Sequence, residues 1–413
     1  MVRPDSQRGK RTSSKAGREG RFVLAASSTL MFAIASINAA MAAPTGAQFN
    51  PNEIKISQQG KTTLIDQSTQ RAIINWKGFD VSADEAVRFN QPGVTSSTLN
   101  RVTAGQESVI AGRISAPGQV IIYNSNGVVF SGSAKVDVGS LITTTANISD
   151  EHFRQGKLIF DQPGNPDARI VNDGSISVAE KGLAAFVAPS LANNGVINAR
   201  LGTVAMAAGN AATIDLYGDG LVSIAVTDPV TRKPQDAQAL VSNGGAIQAD
   251  GGSVLITAEQ ASRVVDNAVN LSGVILARGT EVREGSVALV SKSGDIQVAG
   301  KIDVSGPKSG GDVLVSGQQV ALASTASIDA RGAAQGGSVR IGGDFQGRGE
   351  LPRAKTLRWP RAPASTSRLP ARAMAAWRWS GPTAIPAWTG GSSRAAAPRA
   401  ATAAWWRPPA RST

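Results

Sequence analysis

From about Ile170 onward one short pattern keeps returning: a turn closed by glycine, then a few residues that alternate apolar and polar. Asn172-Asp173-Gly174-Ser175-Ile176-Ser177-Val178 is one instance, and Asn194-Gly195-Val196-Ile197-Asn198-Ala199 is another. Gly244-Gly245-Ala246-Ile247-Gln248, Ser272-Gly273-Val274-Ile275-Leu276 and Ser293-Gly294-Asp295-Ile296-Gln297-Val298 repeat it. Alternation with period two makes strands that have one buried face. Glycine and asparagine at the breaks are read as suppliers of the positive φ that tight corners need. Gly174 to Gly195 and Gly273 to Gly294 are each one step of 21 residues, about one solenoid coil. The other intervals are irregular, so loops must interrupt some coils. A helical period is absent apart from a short stretch near Gln235–Val241.

Evenly spaced short strands fit either an antiparallel sandwich or a right-handed parallel β-helix. Composition decides between them. Aromatic residues make up 5% of the chain and glycines number 45, too little bulk for one thick core. Thin stacked layers closed by glycine corners need no such bulk. The expected fold is therefore all-β: a right-handed parallel β-helix whose open ends need caps. At about 20 residues per coil and about 4.8 Å per strand, some 300 residues would form a rod about 70 Å long.

The charge points to nucleic acid only until it is located. The net charge is +12, of which residues 1–21 carry +5 and residues 351–413 carry +11, leaving −4 for residues 22–350. A slightly acidic middle removes the case for a nucleic-acid partner. The chain has no cysteine, which excludes disulfides, thiolate metal sites and a cysteine nucleophile.

Both ends differ from the middle. A basic opening up to Arg21 is followed by an uncharged apolar run, Phe22 to Ala42, ending in Ala40-Met41-Ala42. That order is the one a cleavable secretory signal peptide has, with the cut between Ala42 and Ala43. A retained membrane anchor is the rival reading for a run of this length. Residues 351–413 hold six of the seven tryptophans and no acid. An Arg/Trp-rich tail could act on membranes. The same mixture also arises when a GC-rich gene is read out of frame, and either origin implies disorder.

Three stretches carry a resemblance. They are Val87-Arg88-Phe89-Asn90-Gln91-Pro92 with Leu99-Asn100-Arg101-Val102, then Ile110 to Gly118, then Val120-Ile121-Ile122-Tyr123-Asn124-Ser125-Asn126-Gly127-Val128-Val129-Phe130. In this order, behind a signal peptide, they resemble the secretion domain of the filamentous haemagglutinin family, the exported partners of two-partner secretion. The family has Asn-Pro-Asn-Gly where this chain has Asn124-Ser125-Asn126-Gly127. Proline presets φ near −65°, and serine can adopt the same turn, so the turn is expected to survive.

The resemblance implies a β-helix with an N-terminal cap and short extra-helical strands. It implies secretion to the cell surface or medium through a partner transporter barrel with periplasmic domains. Asn90, Pro92, Asn100, Arg101, Asn124, Asn126 and Gly127 become candidate secretion-motif residues, acting by fold maintenance or by direct recognition. Adhesion to host-cell or surface ligands is the implied role. The alternative is the N-terminal part of a toxin or effector-delivery exoprotein. The expected division is a signal peptide at 1–42, a secretion domain at 43–165, a repeat shaft at 166–350 and the tail at 351–413.

The chain carries no recognisable catalytic motif. His152 is the only histidine and has no Gly-x-Ser-x-Gly turn near it. Asp295, Asp303, Asp312 and Asp329 recur at turns, but without the nonapeptide that binds calcium, so they read as solvated acids. The expectation is a non-enzyme with no cofactor and no metal.

Overall fold

The computed structural model describes residues 43–103, 105–215, 223–235, 237–343 and 353–359, and the strand Ala376–Trp379. The expected signal peptide, including Ala42, lies outside the described residues; Ala43 is the first of them and is half-buried.

From Thr62 onward most strands stack in parallel on three faces. The first face runs through Ala86–Asn90, Ser175–Val178, Val196–Asn198, Ala246–Gln248, Val274–Leu276 and Lys301–Asp303. The second runs through Arg71–Trp76, Ser97–Val102, Leu183–Ala188, Thr203–Ala208, Ser253–Ala258 and Ser286–Val290. Two long strands, Arg113–Asn124 and Lys135–Thr144, bend from the first face into the second, with a register shift between Val138 and Ser140. The third face is a sheet of nine strands from Ser108–Ile110 to Thr356–Arg358. Parallel strands joined by crossovers of this kind take the right-handed sense, and the architecture is the expected parallel β-helix.

Register explains the period-two pattern. Ile114, Val136, Ile176, Ile197, Ile247, Ile275 and Ile302 are successive partners across the coils, and all seven are buried. Each coil thus adds one aliphatic side chain to a continuous interior column, worth about 1.5–3 kcal/mol per residue.

The glycine corners have a different cause from the one expected. None of Gly174, Gly195, Gly245, Gly273 or Gly294 has a positive φ. Instead the coils approach too closely for a side chain. A Cβ on Gly195 would lie 2.1 Å from the Gly174 carbonyl oxygen, and one on Gly245 would lie 2.1 Å from that of Gly195. Gly273 and Gly300 continue the column at 2.1 and 2.0 Å. The same carbonyls accept hydrogen bonds from the coil above, such as Val196 N–H to Gly174 O at 2.9 Å.

This column also corrects one of the two 21-residue steps. Val274 pairs with Lys301, so the coil after Gly273 begins at Gly300, whereas Gly294 precedes a strand of the third face. The step from Gly174 to Gly195 is a true coil. Between Gly195 and Gly245 an inserted hairpin lengthens the coil. With such insertions the nine strands of the third face make a stack about 40 Å long at about 4.8 Å per strand, shorter than the expected rod.

From Arg71–Trp76 to Thr203–Ala208 the second face is covered on its outer side as well. Its outer side carries Ile73, Leu99, Ile121, Ile142, Ala185 and Ala205, which form a second apolar cluster with Phe153, Leu158, Phe160, Ile214 and Ile224. The cover consists of the helix Asp150–Gln155 and an antiparallel sheet of Leu158–Phe160, Ala211–Asp215 and Ser223–Asp228. The helix starts on the Ser149 side chain, which accepts from His152 N–H, and stops at Gly156 with φ 78°. It is the only α-helix among the described residues; the stretch near Gln235–Val241 instead enters the strand Ala239–Asn243.

The cover ties distant parts of the chain together. A chain ending at residue 165 would leave Leu158–Phe160 without its partner Ala212–Ile214 and would bare Phe153 and Phe160. Urea unfolding followed by circular dichroism is expected to show a cooperative transition for residues 43–304 and a weak, broad one for residues 43–165. Equal cooperativity in both would contradict the coupling.

The N-terminal end is closed by antiparallel pieces. Gln48–Phe49 pairs with Ile74–Asn75, and Ile54–Gln59 forms a hairpin with Thr62–Gln67. Most of the tail expected at 351–413 lies outside the described residues; the described part adds two short strands, Thr356–Arg358 on the third face and Ala376–Trp379 on the second.

Candidate functional site

The residues singled out from the motifs fall on two corners and on the strand between them. Asn100 and Arg101 are neighbours in Ser97–Val102 but point to opposite sides. Asn100 faces inward with no exposed surface; its oxygen accepts from the Trp76 indole N–H at 3.1 Å and its amide donates to Ile121 O at 3.2 Å. A buried amide needs such partners, and both were invisible in the local sequence.

Arg101 faces outward and fastens the cover. Its guanidinium donates to Asn147 Oδ1 at 3.0 Å, Asn75 Oδ1 at 3.1 Å, Ile148 O at 3.0 Å and Asp150 Oδ1 at 2.7 Å. Its planar fork of donors allows one side chain to hold three segments at once. Nearby, Arg154 of the helix pairs with Glu53 of the N-terminal cap at 3.2 Å.

Asn90 and Pro92 lie at the corner between first and second faces. Asn90 is half-buried and donates to Asp66 Oδ1 at 2.7 Å, while Pro92 is exposed. The residue between them carries more of the corner than either. Gln91 is buried, donates to Thr98 Oγ1 at 2.8 Å and Gln119 O at 3.0 Å, and accepts from Gly118 N–H at 2.8 Å. Thr98 in turn donates to Gln67 Oε1 at 2.5 Å. Neither glutamine stood out in the sequence, because nothing local shows that two glutamines 24 residues apart share a buried network.

Asn124, Asn126 and Gly127 form the corner between second and third faces. Asn124 is fully buried; its oxygen accepts from Asn126 N–H at 2.9 Å, and its amide donates to Gln106 O at 2.9 Å and Ser108 Oγ at 3.0 Å. Gly127 needs to be glycine twice over, with φ 114° and a would-be Cβ 2.4 Å from Arg169 O. The turn is kept with serine at 125. Ser125→Pro is expected to stabilise the fold by about 0.4–1 kcal/mol by restricting the unfolded chain. A small rise in melting temperature checks this, and a fall would show that the turn does not accept proline's φ.

An asparagine ladder lies further along, on the third face. Asn172 donates to Asn193 Oδ1 and Asn193 to Asn243 Oδ1, both at 2.7 Å. Leu271 takes the next position, so the ladder ends there and Asn243 Nδ2 has no partner.

The turn acids are mostly paired rather than merely solvated. Asp295 pairs with Arg263 at 2.7 Å, Asp303 with Lys301 at 3.1 Å and Asp329 with Arg331 at 2.6 Å. The Arg331 hydrogen bond holds the Asp329 carboxyl below the usual carboxylate range. His152 sits in the covering helix. Among the described residues no three His, Cys, Asp or Glu side chains converge to hold a metal.

Comparison with known proteins matches this architecture. The TPS secretion domain family matches residues 40–304. The chain is similar to a heme/hemopexin-binding protein of Haemophilus influenzae, 28% identical over 319 residues, covering 73% of this chain and 33% of the relative. A second heme/hemopexin-binding protein of Haemophilus influenzae is 37% identical over 84 residues, 20% of this chain and 9% of that relative. The matched part therefore spans a third or less of these relatives' length. Among solved structures, the HMW1 secretion domain from Haemophilus influenzae aligns with TM-score 0.66 and 28% identity, over 76% of this chain and 82% of that one. The chain belongs to the TPS (two-partner secretion) domain family, whose exoproteins leave the cell through the outer membrane.

Proposed function

We propose that this chain carries the secretion domain of an adhesin-type surface exoprotein, recognised in the periplasm by a cognate transporter barrel with periplasmic domains. The family match over 40–304, more than half the chain, is the observation that carries the export part. In this reading Asn100 serves export by holding the interior of its strand, and Asn124 and Gly127 by building a corner, the two amides being bonded inside the fold and the glycine allowing its close approach. Asn90, Pro92 and Arg101 reach the surface and are the motif residues a transporter could touch. The absence of cysteine suits passage through a narrow pore, because no disulfide loop has to pass.

The shaft's ligand is the open half of the proposal. The relatives named for heme and hemopexin make host-derived ligands the first to assay. An unrelated, slow-folding reporter polypeptide fused after residue 343 tests the export half. It should reach the medium when the transporter is co-expressed and stay in the periplasm when residues 43–304 are removed. Export of the reporter without those residues would overturn the proposal.

A further inference from the structure

Among the described residues, the cover over the second face ends before the apolar row beneath it does. The covering strands advance with the coils: Ala211–Asp215 packs against Leu183–Ala188, and Ser223–Asp228 against Thr203–Ala208. Under the cover one outer row runs in register through Ile73, Leu99, Ile121, Ile142, Ala185 and Ala205. The row does not turn polar where the cover stops. It continues through Leu255, Ala288 and Leu314, all half-buried, and changes only at Arg340. Val290, on the same side of the strand as Ala288, is half-buried too.

The covering sheet is open on the same side. Ser223–Asp228 is its last strand, paired to Ala211–Asp215 on one edge and to no described strand on the other. The far end of the sheet is shielded. There the helix Asp150–Gln155 packs on Leu158–Phe160, and Asn147 and Gln162 exchange backbone hydrogen bonds at 2.7 and 3.3 Å. Exposed strand edges are commonly blunted by charge or proline. The run Ser223-Ile224-Ala225-Val226-Thr227 holds neither, and Ala225 and Thr227 are exposed. Packed sheets cross at about 30°. A strand added along this edge would therefore sit over Leu255 and reach Ala288 and Val290.

We propose that this edge and row bind one extended, uncharged segment of a partner protein, apolar at every second residue, as a fourth strand of the cover. The edge supplies main-chain hydrogen bonds, and the row receives the alternate side chains. The site thus continues an interface the chain already makes with itself. A second copy does not fit. Pairing two such edges about a twofold axis would put the second copy's Thr203–Ala208 where this chain's Ser253–Ala258 already lies. The uncovered row also spans only three coils, about 14 Å, too little for the roughly 800 Å² per partner of a stable dimer. The site needs the folded chain and no transporter, so its failure would leave the export reading untouched.

The test uses the purified full chain, signal peptide removed, and a fluorescent capped peptide of alternating Thr and Val with a lysine at each end for solubility. Fluorescence anisotropy should show saturable binding. The same peptide N-methylated at alternate residues keeps its side chains but loses edge hydrogen bonds, and should bind about tenfold more weakly or worse. Ala288→Asp, which puts a charge in the row, should weaken the unmodified peptide about tenfold as well. Leu255→Ser carries this arm if Ala288→Asp fails to fold. Bound peptide should slow amide exchange in Ser223–Asp228 and leave Leu158–Phe160 unchanged. No binding, equal binding of the N-methylated peptide, or protection only elsewhere in the stack would overturn the site. Full affinity in a folded Ala288→Asp or Leu255→Ser chain would overturn the row as its floor. Dimers of the wild-type chain that Ala288→Asp abolishes would overturn a foreign strand in favour of a second copy.

Discussion

Gly245→Ala is expected to destabilise the stack by about 3 kcal/mol, the upper end of the usual cost of forcing atoms into a filled site. The new methyl would sit 2.1 Å from the Gly195 carbonyl oxygen, and 2.6 and 2.7 Å from the backbone C and O of Asn194. No side chain can swing away to make room, because the obstacle is backbone already engaged: Gly195 O accepts from Ala246 N–H at 2.9 Å. Gly93→Ala is the matched control, since a Cβ there meets nothing within 4 Å and φ is not positive. Denaturation midpoints should separate the two sharply. Similar small losses in both would mean that the coils can spread apart at their corners.

Arg101→Met is the second large effect, with an expected loss of about 2–4 kcal/mol. Methionine keeps much of the aliphatic stem but removes the donors that hold Asn75, Asn147, Ile148 O and Asp150. Asn75 lies on an inner strand and Asn147 on the segment that leads into the covering helix, and this one side chain bonds both. The loss should appear first as faster amide exchange in the helix Asp150–Gln155 and in Leu158–Phe160, ahead of the interior strands. Uniform loss of protection over the whole stack would contradict a local latch.

These two residues show what the sequence could and could not convey. Period two and the recurring glycines were enough for strands, coils and a solenoid. Why glycine was needed could not be read, since a close approach between coils involves residues up to 50 positions apart, as from Gly195 to Gly245. Chance spacing misled once, at Gly294, because corners of different faces look alike in sequence. The extra-helical cover left a signal that was overlooked. Leu183–Ala188 and Thr203–Ala208 are apolar or small throughout, and such runs mark strands buried on both sides. That cover joins residues 158–160 to residues 211–228, across the expected boundary at 165.

The motif residues divide in a similar way. Their presence identified the family, but their inward or outward direction depended on register. Asn100 and Arg101 are adjacent in sequence, and one holds the interior while the other holds the cover. Gln67 and Gln91 were passed over because a buried amide network is a property of stacked corners, not of any local pattern.

Membership of a two-partner secretion family makes one dependence testable above all others. The chain should be quantified in the medium and in the periplasm of cells that express it with and without its transporter. The expected result is accumulation in the medium only when the transporter is present, with periplasmic retention or degradation when it is absent. Equal amounts in the medium in both strains would contradict export by this route.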